Sequence, residues 1–212
     1  MPAFDYFAAA ATATVIKAPA AVAADASGAG VDINNYTGDL LLVSAIFNTA
    51  GTNPTLATKF QASNSGNFIE SVAFAGTGNG TITEVVAGPD AVAENITITF
   101  SNATTAAVVG SVSGALGNAT VGTKFSSAKI SFLLTAGSTA FINTDAFTVA
   151  TLAQTYSDIT GATIANPGAV KTIARTVVNS DKIGRYIRPV FDIGGTDNPS
   201  YLVGITAYGM QN

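Results

Sequence analysis

Apolar side chains recur at every second position in one short segment after another, and the three-to-four-residue spacing of an amphipathic helix is almost absent. Across 95–100, Ile96, Ile98 and Phe100 alternate with Asn95, Thr97 and Thr99, and across 129–134, Ile130, Phe132 and Leu134 share one face. Leu56, Thr58, Phe60 and Ala62 form another such row, with Lys59 and Gln61 between them. Successive side chains of an extended chain point to opposite faces, so this spacing separates apolar from polar only in a strand. The segment 40–47 is apolar in both rows, which predicts a central strand covered on both faces. Further strands are expected over 12–16, 82–86, 107–112, 146–149, 170–178, 186–193 and 201–208. A short helix is conceivable only near 151–156.

Turn signals separate these runs: NYTG at 35–38, GTNP at 51–54, GTGNG at 76–80, GPD at 88–90 and GGTDNP at 194–199. Many short strands at such spacing imply an all-β fold, an antiparallel β-sandwich of jelly-roll-like type. The stretch 76–151 is richer in Gly, Thr and Ser and carries its own strand series. It reads as a small β module inserted into a parent sandwich of 31–75 plus 152–212, with 1–30 as an N-terminal arm. FNTAGTNP at 47–54 is echoed by FDIGGTDNP at 191–199, each followed by a strand. Either the two hairpins are neighbours in space, or turn chemistry repeated itself.

Composition then restricts the chemistry. The chain of 212 residues has no His, no Cys and only 10% charged residues, against about 25% in ordinary domains. A Ser-His-Asp triad, a thiol nucleophile, a zinc centre and a redox motif are therefore out of reach. The net charge of −4 argues against a nucleic-acid partner. GTGNG at 76–80 lacks the following helix that a phosphate loop needs, and reads as a mobile hairpin or linker. The Asp residues sit singly at Gly/Asn turns, which suits backbone capping better than a calcium site. Glu70, Glu84 and Glu94 are the acids that could meet for glycoside hydrolysis, but no pattern joins them. No catalytic residue, metal site or cofactor is expected, and no apolar run reaches the roughly 18 residues of a membrane span. Lacking a basic start, the apolar N-terminal stretch reads as an uncleaved, strand-forming arm instead of a secretion signal.

Two features point to partners. Phe4, Tyr6 and Phe7 place three rings in the first seven residues; they dock either on a neighbouring subunit or on the chain's own sandwich. Lys171, Arg175, Lys182, Arg185 and Arg188 gather five of the nine basic residues. Arg185 and Arg188 either contact an acidic partner surface or pair with Asp181 and Asp192 on a wet face.

The strings VDINNYTG at 31–38, GTNP at 51–54 and KFQAS at 59–63 resemble virion proteins of tailed bacteriophages. The ending is similar: GRYIR at 184–188, an apolar strand, GGT and a last strand with Val203-Gly-Ile-Thr. Between them, GSVSG at 110–114 and VGTKF at 121–125 resemble a module that recurs in phage structural proteins. The resemblance implies a capsid decoration (cement) protein, non-enzymatic and bound to the major capsid protein on the outside of the virion. A homo-oligomer is expected, a trimer by preference, assembled in the host cytoplasm, with no nucleic-acid and no membrane partner. A tail, neck or fibre component is the alternative, and a carbohydrate-binding module a weaker one because Trp is absent.

Overall fold

The computed structural model describes residues 11–63, 68–165 and 171–211. In chain order its strands are β1 (Ala11–Val22), β2 (Ala26–Ser27), β3 (Val31–Asp32), β4 (Tyr36–Ser63), β5 (Ile69–Ala75), β6 (Thr81–Ala87), β7 (Glu94–Phe100) and β8 (Thr105–Gly110). They continue with β9 (Gly114–Thr120), β10 (Lys124–Ser126), β11 (Ile130–Thr135), β12 (Ala146–Thr151), β13 (Tyr156–Ala165), β14 (Thr172–Asn179) and β15 (Tyr186–Gln211). One 3-10 turn, Ser180–Lys182, precedes β15. Every strand pairing is antiparallel, and the fold is all-β and sandwich-like. The helix conceivable near 151–156 is absent; β12 ends there and β13 begins. Among the described residues no helix is long and apolar enough to cross a membrane.

The chain divides into two compact units, one from the described parts of 1–65 and 155–212, the other from those of 66–154. The insertion therefore starts ahead of β5, not at 76. β5 pairs with β12 from Ala75 opposite Ala146 to Ile69 opposite Thr151, which ties 69–75 to the inserted unit. The expected separate arm of 1–30 is likewise corrected where it is described. β1 pairs with β15, β2 and β3 pair with β15 as well, and Ile16 and Val22 are buried in the core.

In the discontinuous unit the organising element is the pairing of β4 with β15, from Tyr36 opposite Gln211 to Ala62 opposite Ile187. A strand of 28 residues would extend about 90 Å at roughly 3.3 Å per residue. Yet its two ends are joined by five residues. The Ser180 hydroxyl and the Asp181 carboxylate bond to Gly38, while Gly184 packs against Ser63. The ribbon must therefore fold back on itself, and it does so where the two echoing loops lie side by side, Thr196 opposite Thr52 and Ser200 opposite Ala50. The backbone there leaves the strand region: Gly51, Asn53, Gly195, Asp197 and Asn198 all have positive φ. Gly51 is required twice over, since its φ is 104° and a Cβ would sit 2.7 Å from the Pro199 Cα. The result is two half-sheets. One holds β14, the first half of β4, the second half of β15 and β1; the other holds β13, the second half of β4 and the first half of β15 with β2 and β3. Between them lie Leu40, Leu42, Ile46, Leu56, Phe60, Ile187, Phe191, Val203 and Ile205. Each such side chain is worth about 1.5–3 kcal/mol when fully buried.

The inserted unit is a smaller pair of sheets. A five-stranded sheet runs β5-β12-β7-β8-β9 and a three-stranded sheet runs β10-β11-β6. The alternating rows predicted for β7 and β11 meet in its core, Ile96, Ile98 and Phe100 with Ile130, Phe132 and Leu134. The Phe100 and Phe141 rings stack at 3.9 Å between centroids.

Candidate functional site

The first half of β4 sends Leu40, Leu42, Ser44 and Ile46 into the core and Leu41, Val43, Ala45 and Phe47 the other way. Strand register decides what surrounds that outward row. Leu41 lies between Val177 of β14 and Tyr208 of β15, with Ala13 of β1 beyond. Val43 lies between Arg175 and Thr206, with Val15 beyond; Ala45 lies between Ile173 and Gly204; Phe47 faces Leu202. Four strands thus present a largely apolar surface, broken in the Val43 row by Arg175 and Thr206. A half-solvated antiparallel sheet normally turns polar residues outward, and this one does not.

That surface is open. Val15, Val177 and Ile173 are each more than half exposed, Ile173 at 66%, and Leu202 and Tyr208 more than a third. None of its side chains belongs to either core cluster. Arg175 is the one charge within the rows, and Lys171 lies over the Phe47 ring at the margin. The largest apolar patch of a soluble monomer is typically about 300–600 Å² and often functional. The expected double cover of 40–47 is thus corrected. The strand is central, but this chain buries only one of its faces.

The outer face of the other half-sheet is the opposite in character. Arg188 donates through Nε and Nη2 to Gln61 Oε1 at 3.0 and 2.8 Å, and Gln61 Nε2 donates to Asp158 at 2.8 Å. The Arg188 guanidinium also stacks 4.0 Å over the Tyr156 ring. Arg185 forks onto Asp32 Oδ2 at 3.0 and 2.6 Å. The structure therefore does not bring the two arginines together, and neither pairs with Asp181 or Asp192 as the wet-face alternative expected. Asp181 accepts from the Gly38 N–H instead. Phe4, Tyr6 and Phe7 lie outside the described residues. A groove of about 680 Å³ opens between β13 and β14, lined by Ser157, Asp158, Thr160, Asn179, Asp181 and Lys182. Its carboxylates are already engaged with Gln61 and Gly38.

In the inserted unit two buried acids turn out to be turn anchors. Asp145 accepts from the N–H groups of Thr77, Gly78 and Ile142 at 3.0, 3.0 and 3.1 Å. The Thr77 N–H leads in holding its carboxyl below the usual range, and those of Ile142 and Gly78 help overcome the cost of burial. Burial pushes Glu94 up most, but the Ser113 hydroxyl and the Ser113 and Val112 N–H groups outweigh it, so its carboxyl also titrates low. A depressed, hydrogen-bond-saturated carboxylate is poorly suited to general-acid work. The 76–80 turn is accordingly pinned to Asp145, with Asn79 bonded to Ser138 and Thr139, and is no loose linker. Glu84 pairs with Lys124 at 2.8 Å, and Glu70 stands exposed on β5. Among the described residues no three metal-ligating side chains converge.

Sequence reading missed the open face because it needs register. Ile173 and Val177 flank Arg175 in an unremarkable strand, and only pairing sets them beside Leu41 and Ala45. The available signal was the two-sided apolarity of 40–47.

No protein-family model matches the chain, and no curated protein matches it either. Among solved structures, FlgL of Xanthomonas campestris in space group H3 is similar at 15% identity and TM-score 0.32, covering 48% of this chain and 34% of FlgL. The same protein in space group C2 gives 15% identity and TM-score 0.30, covering 54% and 32%. The chain thus matches about a third of the length of FlgL.

Proposed function

We propose that this chain is a structural protein of a tailed-bacteriophage virion, a decoration protein that docks on the outer capsid through the open face of β14, β4, β15 and β1. The observation that carries the reading is that face: apolar rows across four strands, in a chain too poor in charge to keep such a surface wet. The resemblance of 31–38, 51–54, 59–63 and 184–188 to phage virion proteins supplies the partner class, the major capsid protein. Depletion of charge at the centre and a cation at the rim suit a protein interface.

The mechanism is added contact without chemistry. A docked sheet excludes water from apolar area worth about 25 cal/mol per Å². Loss of translational and side-chain freedom offsets much of that, so one copy alone holds modestly. Many copies bridging neighbouring capsid subunits gain by avidity. The bridging raises the force at which the shell parts at its junctions.

Co-sedimentation with empty phage shells tests the reading. The native chain is expected to pellet with the shells, and Ile173→Lys combined with Val177→Lys to stay in the supernatant. Both positions are exposed, so the variant should keep its melting temperature. Equal pelleting of the two, or no pelleting of the native chain, overturns the reading. Binding in six or twelve copies per particle in place of hundreds would assign it to tail or neck.

A further inference from the structure

β5 closes the five-stranded sheet of the inserted unit and is exposed from Glu70 to Ala75. Among the described residues no strand pairs with its outer edge. Two rows that are buried across the rest of the sheet run out onto it. Val72 continues the row of Val149 and Ile96, and Phe74 that of Phe147 and Ile98. Exposure rises from 0% at Ile96 and Val149 to 43% at Val72, and from 4% at Phe147 to 38% at Phe74. The Phe74 ring still lies 4.7 Å from that of Phe147. The apolar layer is interrupted at this strand, not completed by it.

Natural edge strands are protected by Lys, Pro, bulges or a covering loop. β5 reads Ile-Glu-Ser-Val-Ala-Phe-Ala, with neither Lys nor Pro, and its one irregularity against β12, between Ile69 and Ser71, leaves Ser71–Ala75 regular. We propose that β5 is a homotypic edge, to which the same strand of a second copy adds antiparallel about a two-fold axis. An isologous contact needs a self-complementary surface, and β5 has one. With Ala73 opposite Ala73, Val72 faces the second copy's Phe74 and Phe74 faces its Val72, so both interrupted rows continue across the axis. Glu70, the strand's one charge, then falls opposite Gly76 and never meets its own copy. A charged partner strand would find little on β5 to pair with. The five strand residues that this register pairs, Ser71–Ala75, bury less than the about 800 Å² per partner of a standard interface. The pair is therefore weak in solution and gains strength where copies are held close. This contact is independent of the open face of the other unit.

Analytical ultracentrifugation of the purified chain from about 10 μM to about 1 mM reads it directly. The native chain is expected to pass from protomer to dimer within that range. Ala73→Lys, which sets like charges face to face on an exposed position, should remain a protomer with an unchanged melting temperature. Ala73→Glu should behave the same way alone, and a one-to-one mixture of the two variants should dimerise again, which only this register allows. A native chain that stays a protomer throughout, an Ala73→Lys variant that dimerises like the native chain, or a mixture that fails to recover would each overturn the proposal. So would protection of the β5 amides that requires phage shells. Loss of the dimer with shell binding intact, or the reverse, separates this proposal from the capsid reading.

Discussion

Asp145 caps backbone, as its place beside Gly/Asn turns leads one to expect, but it does so far along the chain. It is 2% exposed and gathers three backbone N–H groups, the placement that fixes the turn between β5 and β6 against the 142–145 loop. The sequence showed an Asp near Gly-rich turns, but not that one carboxylate serves a loop 68 residues earlier. Its lowered titration has a definite sign. A carboxyl depressed in the folded state contributes stability above its unfolded value, about 3.9, and that contribution vanishes as pH falls through the folded value. Glu94 acts in the same direction. Calorimetry from pH 7 down to pH 2 should therefore show the native chain losing melting temperature below about pH 4. Asp145→Asn should melt lower at pH 7 and fall less steeply in acid; an unchanged acid slope would count against this role. Glu94→Ala, which strands the Val112 and Ser113 N–H groups, should cost about 2–3 kcal/mol.

At the level of strands, alternation was a reliable guide wherever apolar residues marked one face. β7, β11 and β12 fall where alternation placed them and their inward residues form the core of the inserted unit, while Ile82 and Val85 of β6 pack against it across a break in alternation. β9 escaped because Gly-Ala-Leu-Gly-Asn-Ala-Thr has no apolar row to show; neighbouring β8 defines it by pairing. The long strands escaped for another reason. Two separate runs on either side of GTNP belong to one bent strand, because the partner loop at 194–199 bends in step with it. Pairing also redefines the N-terminal segment. Deleting residues 2–16 removes part of β1 and the buried Ile16, so it should unfold the discontinuous unit and not merely release an arm. Deleting 2–10 spares β1. Circular dichroism and melting of the two truncations should separate them, the longer one melting well below the shorter; equal melting temperatures would contradict the part given to β1.

For the whole molecule, the scarcity of charge becomes intelligible when the outer faces of the two half-sheets are compared. One spends its polar residues on itself, Arg188 to Gln61 to Asp158. The other is largely apolar, with Arg175 and Thr206 in one row and Asp39 beside Asn179 at its end. A composition without His or Cys pointed away from proton-transfer chemistry, but not to a particular surface, because surfaces are assembled by register from strands far apart in sequence. Hydroxyl-radical footprinting of the chain free and bound to phage shells reads that surface side chain by side chain. Ile173, Leu202 and Tyr208 should lose most of their labelling on the shell while Tyr156 and Val190 keep theirs. Unchanged labelling of Ile173 and Tyr208 on a shell-bound chain, or protection confined to the face of Arg188, would show that the apolar sheet is not what meets the capsid.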